Sequence, residues 1–149
     1  MDINDLDDSE VKSLIESLKH PSRLFSFIEI NEKLAAMFGQ ITISENIIGV
    51  IDGIEYVIHI YRGKRDPDRY SINLRFADKH HQLVRLDIGS NHTNPDGTKI
   101  FGDHIHIYNN DYPKRDSFAF SLKKHEFPNV ENIVDAFSKF RMYTNINEA

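Results

Sequence analysis

The 149-residue chain contains no cysteine. That excludes a disulfide scaffold, a thiolate metal site and a cysteine nucleophile, and it suits a reducing compartment. Tryptophan is absent too, whereas phenylalanine occurs 10 times, so a core of Phe, Ile and Leu is expected. No apolar run approaches the ~18 residues of a spanning helix. The opening stretch, Met1 to Glu10, is acidic and has no apolar segment, which is not the pattern of a secretory signal. These absences lead to the expectation of a cytoplasmic protein without a membrane partner.

What is present is ordinary in bulk and uneven in detail. The chain is 40% hydrophobic and 28% charged, as globular domains are, and its length fits a single domain over 1–149 with a real core. The net charge of −5 is not spread evenly. Residues 1–58 carry 4 basic and 11 acidic side chains, residues 59–125 carry 12 and 8, and residues 126–149 carry 2 and 4. A basic middle on an acidic chain points to an anionic ligand, although charge also fluctuates along any sequence.

The hydrophobic pattern predicts an α+β fold. Residues 1–39 read as a helical segment. Its first helix runs from an N-cap at Ser9 to about Lys19, with Val11, Leu14, Ile15 and Leu18 as its stripe, and ends at His20-Pro21. Residues 24–38 are ambiguous: Leu24, Phe25, Phe27, Ile28 and Ile30 fit a strand or a buried turn, and Glu32 to Phe38 looks helical. Residues 43–109 read as an antiparallel meander of about five strands. Asp52-Gly53, between two apolar runs, is expected to form a two-residue hairpin turn. Residues 129–143 read as a helix capped by Asn129, with Ile133, Val134, Phe137 and Phe140 inward. Helices at both termini would cover one face of the sheet.

Strand alternation then sorts the side chains. With Ile58, Ile60, Ile72, Leu74, Phe76, Val84, Leu86, Ile88, Ile105 and Ile107 on the core face, the opposite face collects His59, Tyr61, Asn73, Arg75, Arg85, Asp87, His104, His106 and Tyr108. His92 would hang over its edge. A solvated sheet face favours Lys, Glu and Thr; this set is made of proton-transferring and anion-holding groups.

Three chemistries fit. In acid–base cleavage of a phosphodiester, His104, His106 and His92 are the acid and base candidates and Asp87 orients a histidine. Arg85 and Arg75, with Tyr108 and Asn73, would hold the phosphate. RNA is the natural substrate, since its 2′-hydroxyl supplies the nucleophile and no cofactor is needed. In a metal site, His92, His104, His106 and Asp87 would be the ligands, against which stands the neighbouring arginine. In a purely structural reading, Asn94-Pro95-Asp96-Gly97 is a turn that needs Gly97 at positive φ, and His92 only steadies it. His20, His80, His81 and His125 read as surface or turn residues. The loop cations Arg62, Lys64, Arg65 and Arg69 fit either a nucleic-acid backbone or solvent.

Arg85-Leu86-Asp87-Ile88-Gly89, His92-Thr93-Asn94-Pro95-Asp96-Gly97 and His104-Ile105-His106-Ile107-Tyr108 together resemble an uncharacterised family of small bacterial and phage-associated proteins. The closing stretch, Phe137 to Ile146, resembles that family's last helix and tail. The layout is also distantly similar to TumE-like toxins, with an arginine–aspartate strand followed by spaced histidines, though the histidine spacing differs. The resemblance implies a site at these residues and a mobile-element setting. The expectation is a metal-independent, ribonuclease-like or nucleotide-handling protein, with RNA and an antitoxin as partners. The rival is a non-enzymatic inhibitor of a host defence protein complex, whose acidic ends mimic nucleic acid. If the first hairpin strand is an exposed edge, it offers pairing to a second copy as a homodimer.

Overall fold

The computed structural model describes residues 1–24, 26–36, 39–78 and 81–148. Helix α1 (Asp8–Glu16) is opened by a reciprocal cap: the Asp7 carboxylate accepts the Glu10 N–H, and the Glu10 carboxylate accepts the Asp7 N–H. The cap lies at Asp7, not at Ser9, and the helix stops at Glu16, short of Lys19. The reason is β1 (Lys19–Pro21), which takes the expected last turn into an extended edge strand where a proline is tolerated.

Helix α2 (Ser26–Leu34) settles the ambiguous stretch, with Phe27, Ile30 and Leu34 buried at helical spacing and Leu24 and Ile28 exposed. Phe25 and Phe38 lie outside the described residues. The strands that follow are β2 (Ile41–Gly49), β3 (Glu55–Arg62), β4 (Tyr70–Phe76), β5 (Gln82–Ile88), β6 (His92–Thr93), β7 (Lys99–Ile100), β8 (His104–Ile107) and β9 (Ala119–Ser121). Helix α3 (Ile133–Tyr143) closes the fold. Its cap is Asn132, which accepts the Asp135 N–H, and not Asn129. Its inward stripe is Ile133, Ala136, Phe137 and Phe140, while Val134, about 100° round the helix from Ile133, is turned outward.

Among the described residues, seven strands form one antiparallel sheet in the order β1-β2-β3-β4-β5-β8-β9, and β6 and β7 form a separate hairpin. The α+β meander with helices at both termini therefore holds, with two more strands than the hydrophobic pattern counts. Both extra strands are three residues long and lie at the sheet edges. Because β1 pairs with Ile47 to Gly49, that half of the first hairpin strand is not a free edge.

The β2–β3 turn is where Asp52-Gly53 places it, but it is longer. Gly49 and Ile54 close it, leaving Val50 to Gly53 as a four-residue loop with Gly53 at φ +68°. The Asp52 carboxylate accepts the Ile54 N–H. The three helices share one core with the sheet's apolar face, where Ile58, Ile60, Ile72, Leu74, Val84, Leu86 and Ile105 meet Leu14, Ile30, Phe137 and Phe140. Among the described residues no helix is long and apolar enough to cross a membrane.

Candidate functional site

The register aligns the polar side chains of the other face in two rows. One runs His59, Asn73, Arg85, His106 across β3, β4, β5 and β8; the next runs Tyr61, Ser71, Asp87, His104. Where the rows end, at β5 and β8, the side chains converge. Asp87 Oδ2 lies 3.3 Å from His104 Nε2, 3.1 Å from His106 Nε2 and 3.0 Å from Arg85 Nε.

Backbone carbonyls fix both rings. His104 Nδ1 donates to the Gly102 carbonyl at 2.9 Å and His106 Nδ1 to the Asp116 carbonyl at 2.7 Å, since a carbonyl can only accept. Arg85 then determines the state of His106. The guanidinium only donates, and its terminal nitrogen is 2.9 Å from His106 Nε2. That nitrogen must carry a lone pair, so His106 is neutral. Arg85 holds the two acceptors, His106 Nε2 and Asp87, side by side by donating to both. His104 differs: both of its ring nitrogens face acceptors, Gly102 O and Asp87, and the imidazolium satisfies both.

The proton affinities follow. Burial alone would push the Asp87 carboxyl up. The His104 hydrogen bond and the Arg85 charge outweigh it and hold the carboxyl far below the usual carboxylate range. Burial pulls His104 down, but the hydrogen bonds to Asp87 and Gly102 raise it overall. Burial pulls His106 down as well, and there, with the Arg85 charge added, it prevails over Asp87. Two neighbouring imidazoles are thus pushed apart, one toward the charged form and one toward the neutral form.

This end of the face is roofed. The β6–β7 hairpin folds over it, with Gly97 at φ +90° in the Asn94–Gly97 turn, and carries His92 onto the other two imidazoles. Ring centroids are 5.5 Å apart for His92 and His104 and 4.6 Å for His92 and His106. His92 Nε2 donates to the Ser117 carbonyl at 2.9 Å. One ligand atom from each of His92, His104 and His106 lies within 4.8 Å of the others. The loop from Asn109 to Phe118 supplies Asp116, which accepts Arg85 Nη1 at 3.0 Å. Under this roof His104 and His106 are 2% and 1% exposed; His92, Arg85 and Asp87 remain half-buried.

On its other side Asp87 lines an open cleft of about 690 Å³ over the second row, with Tyr61, Ser71, Ser90 and the loop residues Gly63 to Asp66 and Arg69. Lys64, Arg65 and Arg69 are exposed on its rim.

The sequence profile of DUF6978, a family of unknown function, matches residues 6–146. The chain belongs to this family. No curated protein and no solved structure matches it at a significant level. The DUF6978 match spans all the elements from α1 to α3, so the site and its scaffold lie within the family's extent.

In this DUF6978 member, then, His92, His104, His106, Asp87 and Arg85 come together. Asn73 is Arg85's cross-strand neighbour, 7% exposed, and its Oδ1 has no partner among the described residues. Arg75 pairs across from Gln82, one step further along β4, and its charge, after burial, helps lower His59.

Tyr108 is a correction. It is not on this face but in the core, where its hydroxyl donates to the Ile3 carbonyl and accepts the Leu6 N–H. The strand ends at Ile107, and Leu83, opposite Tyr108, is an extra residue in the β4–β5 ladder that breaks the alternation. Arg62 also leaves the expected cationic set: it is 2% exposed and donates to the carbonyls of Ala36 and Gly39. His80 lies outside the described residues; His81 Nε2 meets Asn4 Oδ1, and His20 Nδ1 meets the Asn147 carbonyl.

Asp116 and Asn94 are the participants that pattern reasoning missed. Asn94 is 4% exposed and bonds both backbone groups of Ala119, at 3.0 and 2.7 Å, so it fastens the hairpin to β9. For Asn94 the H-x-N-P-D-G motif was a signal, read only as a turn. Asp116 sits in an aperiodic loop and carried none.

Proposed function

We propose that this chain handles phosphodiesters by proton transfer at the Asp87–His104–His106 cluster, as a metal-independent, ribonuclease-like protein. The observation that carries the reading is the convergence of two imidazoles and a guanidinium on one carboxylate that also floors a cation-rimmed cleft. In RNA the 2′-oxygen attacks phosphorus and its proton passes to the network. The P–O5′ bond breaks, and the 5′-oxygen takes a proton back, so protons alone balance the step. Asp87 is the member that meets the cleft, and His104 and His106 stand behind it. Arg85 is an orienting group here. Four of its five N–H directions go to Asp87, Asp116, Gln82 and His106, which leaves phosphate to the cleft cations. A toxin role, as the TumE-like layout implies, belongs to this proposal.

A second reading rests on the three imidazoles within 4.8 Å of one another. With Nδ1–H fixed on a carbonyl, His104 and His106 present Nε2 as metal ligands do, and His92, whose Nε2–H is fixed on Ser117, presents Nδ1, though the Arg85 charge opposes a cation there. One experiment separates the two readings. Purified protein is incubated with mixed-sequence RNA, with and without EDTA, beside His106→Asn and His92→Gln variants checked for folding by circular dichroism. Cleavage that persists in EDTA and is lost in folded His106→Asn supports proton-transfer chemistry. Cleavage abolished by EDTA and restored by zinc transfers the site to metal chemistry. No cleavage in any lane rejects both as a ribonuclease.

A further inference from the structure

The cleft beside the cluster has a chemistry of its own. It is built over the row Tyr61, Ser71, Asp87, and its wall is the loop between β3 and β4. Three cations, Lys64, Arg65 and Arg69, stand exposed around it, and none forms an ion pair among the described residues. That differs from Arg85 on the same polar face, which donates to Asp87, Asp116, Gln82 and His106. Tyr61 is 44% exposed and lines the same cleft, whereas Ile58 and Ile60, on the opposite face of β3, are buried in the core. An aromatic ring left half in solvent beside three unpaired cations matches what a single strand requires: a surface for a base to stack on and charges spaced for its backbone. A duplex keeps its bases stacked inside and cannot use the ring. The volume of about 690 Å³ is in the range of small-molecule and cofactor sites, which suits a nucleotide or two rather than a helix.

We infer that this cleft binds single-stranded RNA, with a base on Tyr61 and backbone phosphates on Lys64, Arg65 and Arg69, so that the chain runs past Asp87. The inference rests on the phosphodiester reading for its choice of RNA, but it is a claim about binding and is tested without turnover. A fluorescein-labelled mixed-sequence oligoribonucleotide is titrated with the full chain by fluorescence anisotropy over a range of salt. Each cation engaged contributes about −0.7 to the slope of log K against log salt on a single strand, so three give a slope of about −2. Arg69→Gln should flatten it by about 0.7, and Tyr61→Ala should weaken binding about tenfold. All four side chains are exposed, and an unchanged circular dichroism melt confirms that the variants fold.

Binding that survives Lys64→Gln/Arg65→Gln/Arg69→Gln with an unchanged slope would overturn the assignment, as would a duplex competitor as effective as the single strand. No binding at all would overturn it too. Binding with these signatures but without cleavage leaves the inference standing and removes the catalytic reading. Cleavage that is indifferent to the cleft variants does the reverse.

Discussion

Arg85 shows how much one side chain can hold in place. It joins two carboxylates, Asp87 and Asp116, from different parts of the chain and fixes the protonation state of His106. With His104 charged, two positive groups face two negative ones, so the cluster is neutral as a whole and tolerates its roof. Removing one partner of such a network leaves a half-buried charge uncompensated, at a cost of about 3 kcal/mol or more. Asp87→Asn should therefore destabilise the fold by about 3 kcal/mol at neutral pH in urea unfolding. The pH dependence of that gap is specific. A carboxyl held below its ordinary 3.8 contributes stability that is fully present above that value and is lost progressively as pH falls below it. The difference in midpoint between the native chain and Asp87→Asn should shrink as pH falls below about 4; a gap unchanged at pH 3 would mean that Asp87 is not the group holding the network. Asp87 raises both His104 and His106, so the gap widens as pH falls through the histidine range before it shrinks below about 4. At this scale the strands were readable. Period-two alternation puts His104, His106, Arg85 and Asp87 on one face because nothing interrupts β5 and β8 between Val84 and Ile107. The same rule misplaces Tyr108, since the extra residue at Leu83 breaks the alternation and no sequence signal marks it.

The elements matter most where they cover one another. The His-x-His strand β8 would be a wet strand if only its own sequence decided; its imidazoles are buried because the β6–β7 hairpin and the Asn109–Phe118 loop lie on it. That covering was not legible, for it depends on where an aperiodic loop returns: Arg115 donates to the carbonyls of Asn4, Asn110 and Tyr112, contacts with no periodicity. The caps moved for a related reason. Asp7 and Asn132, rather than Ser9 and Asn129, open α1 and α3, because a cap is decided by which side chain reaches the free N–H groups, not by the first polar residue before an apolar stripe. The hairpin is held down by Asn94, which completes both backbone bonds of Ala119. Asn94→Ala leaves a buried N–H and a buried carbonyl without partners, at about 1–3 kcal/mol each. The expected result is a loss of about 3 kcal/mol, with the amide of Ala119 exchanging hydrogen much faster and His92 becoming reactive to diethyl pyrocarbonate. Loss of stability with His92 still protected would show that the roof does not depend on this clamp.

The whole molecule is tied together at its two ends, by a residue that composition could not single out. Lys19 is fully buried. Its Nζ donates to the carbonyls of Ile15 and Ser17 at the end of α1 and of Thr144 at the end of α3, and its backbone bridges Asn145 and Asn147. Burial lowers its pKa to about 8, which marks how far the ammonium has left water. The acidic N-terminal stretch is occupied in the same construction: Asp7 and Glu10 form the cap of α1, and the Asp5 carboxylate accepts the Asn110 side-chain N–H. While Asp2, Asp5, Asp7 and Asp8 stay exposed, these engagements order the acidic stretch. They also connect the N-terminus, through Tyr108 and Arg115, to the loop that roofs the histidines. A single three-donor ammonium serving two helix ends makes those helices one unit. Lys19→Met keeps the apolar stem but leaves three carbonyls unpaired, so a loss of about 3 kcal/mol is expected. Unfolding should remain a single transition, and in hydrogen exchange the amides of α1 and α3 should lose protection together. If α3 kept its protection while α1 frayed, the two ends would be independent, and the roof over the site would rest on the Asn109–Phe118 loop alone.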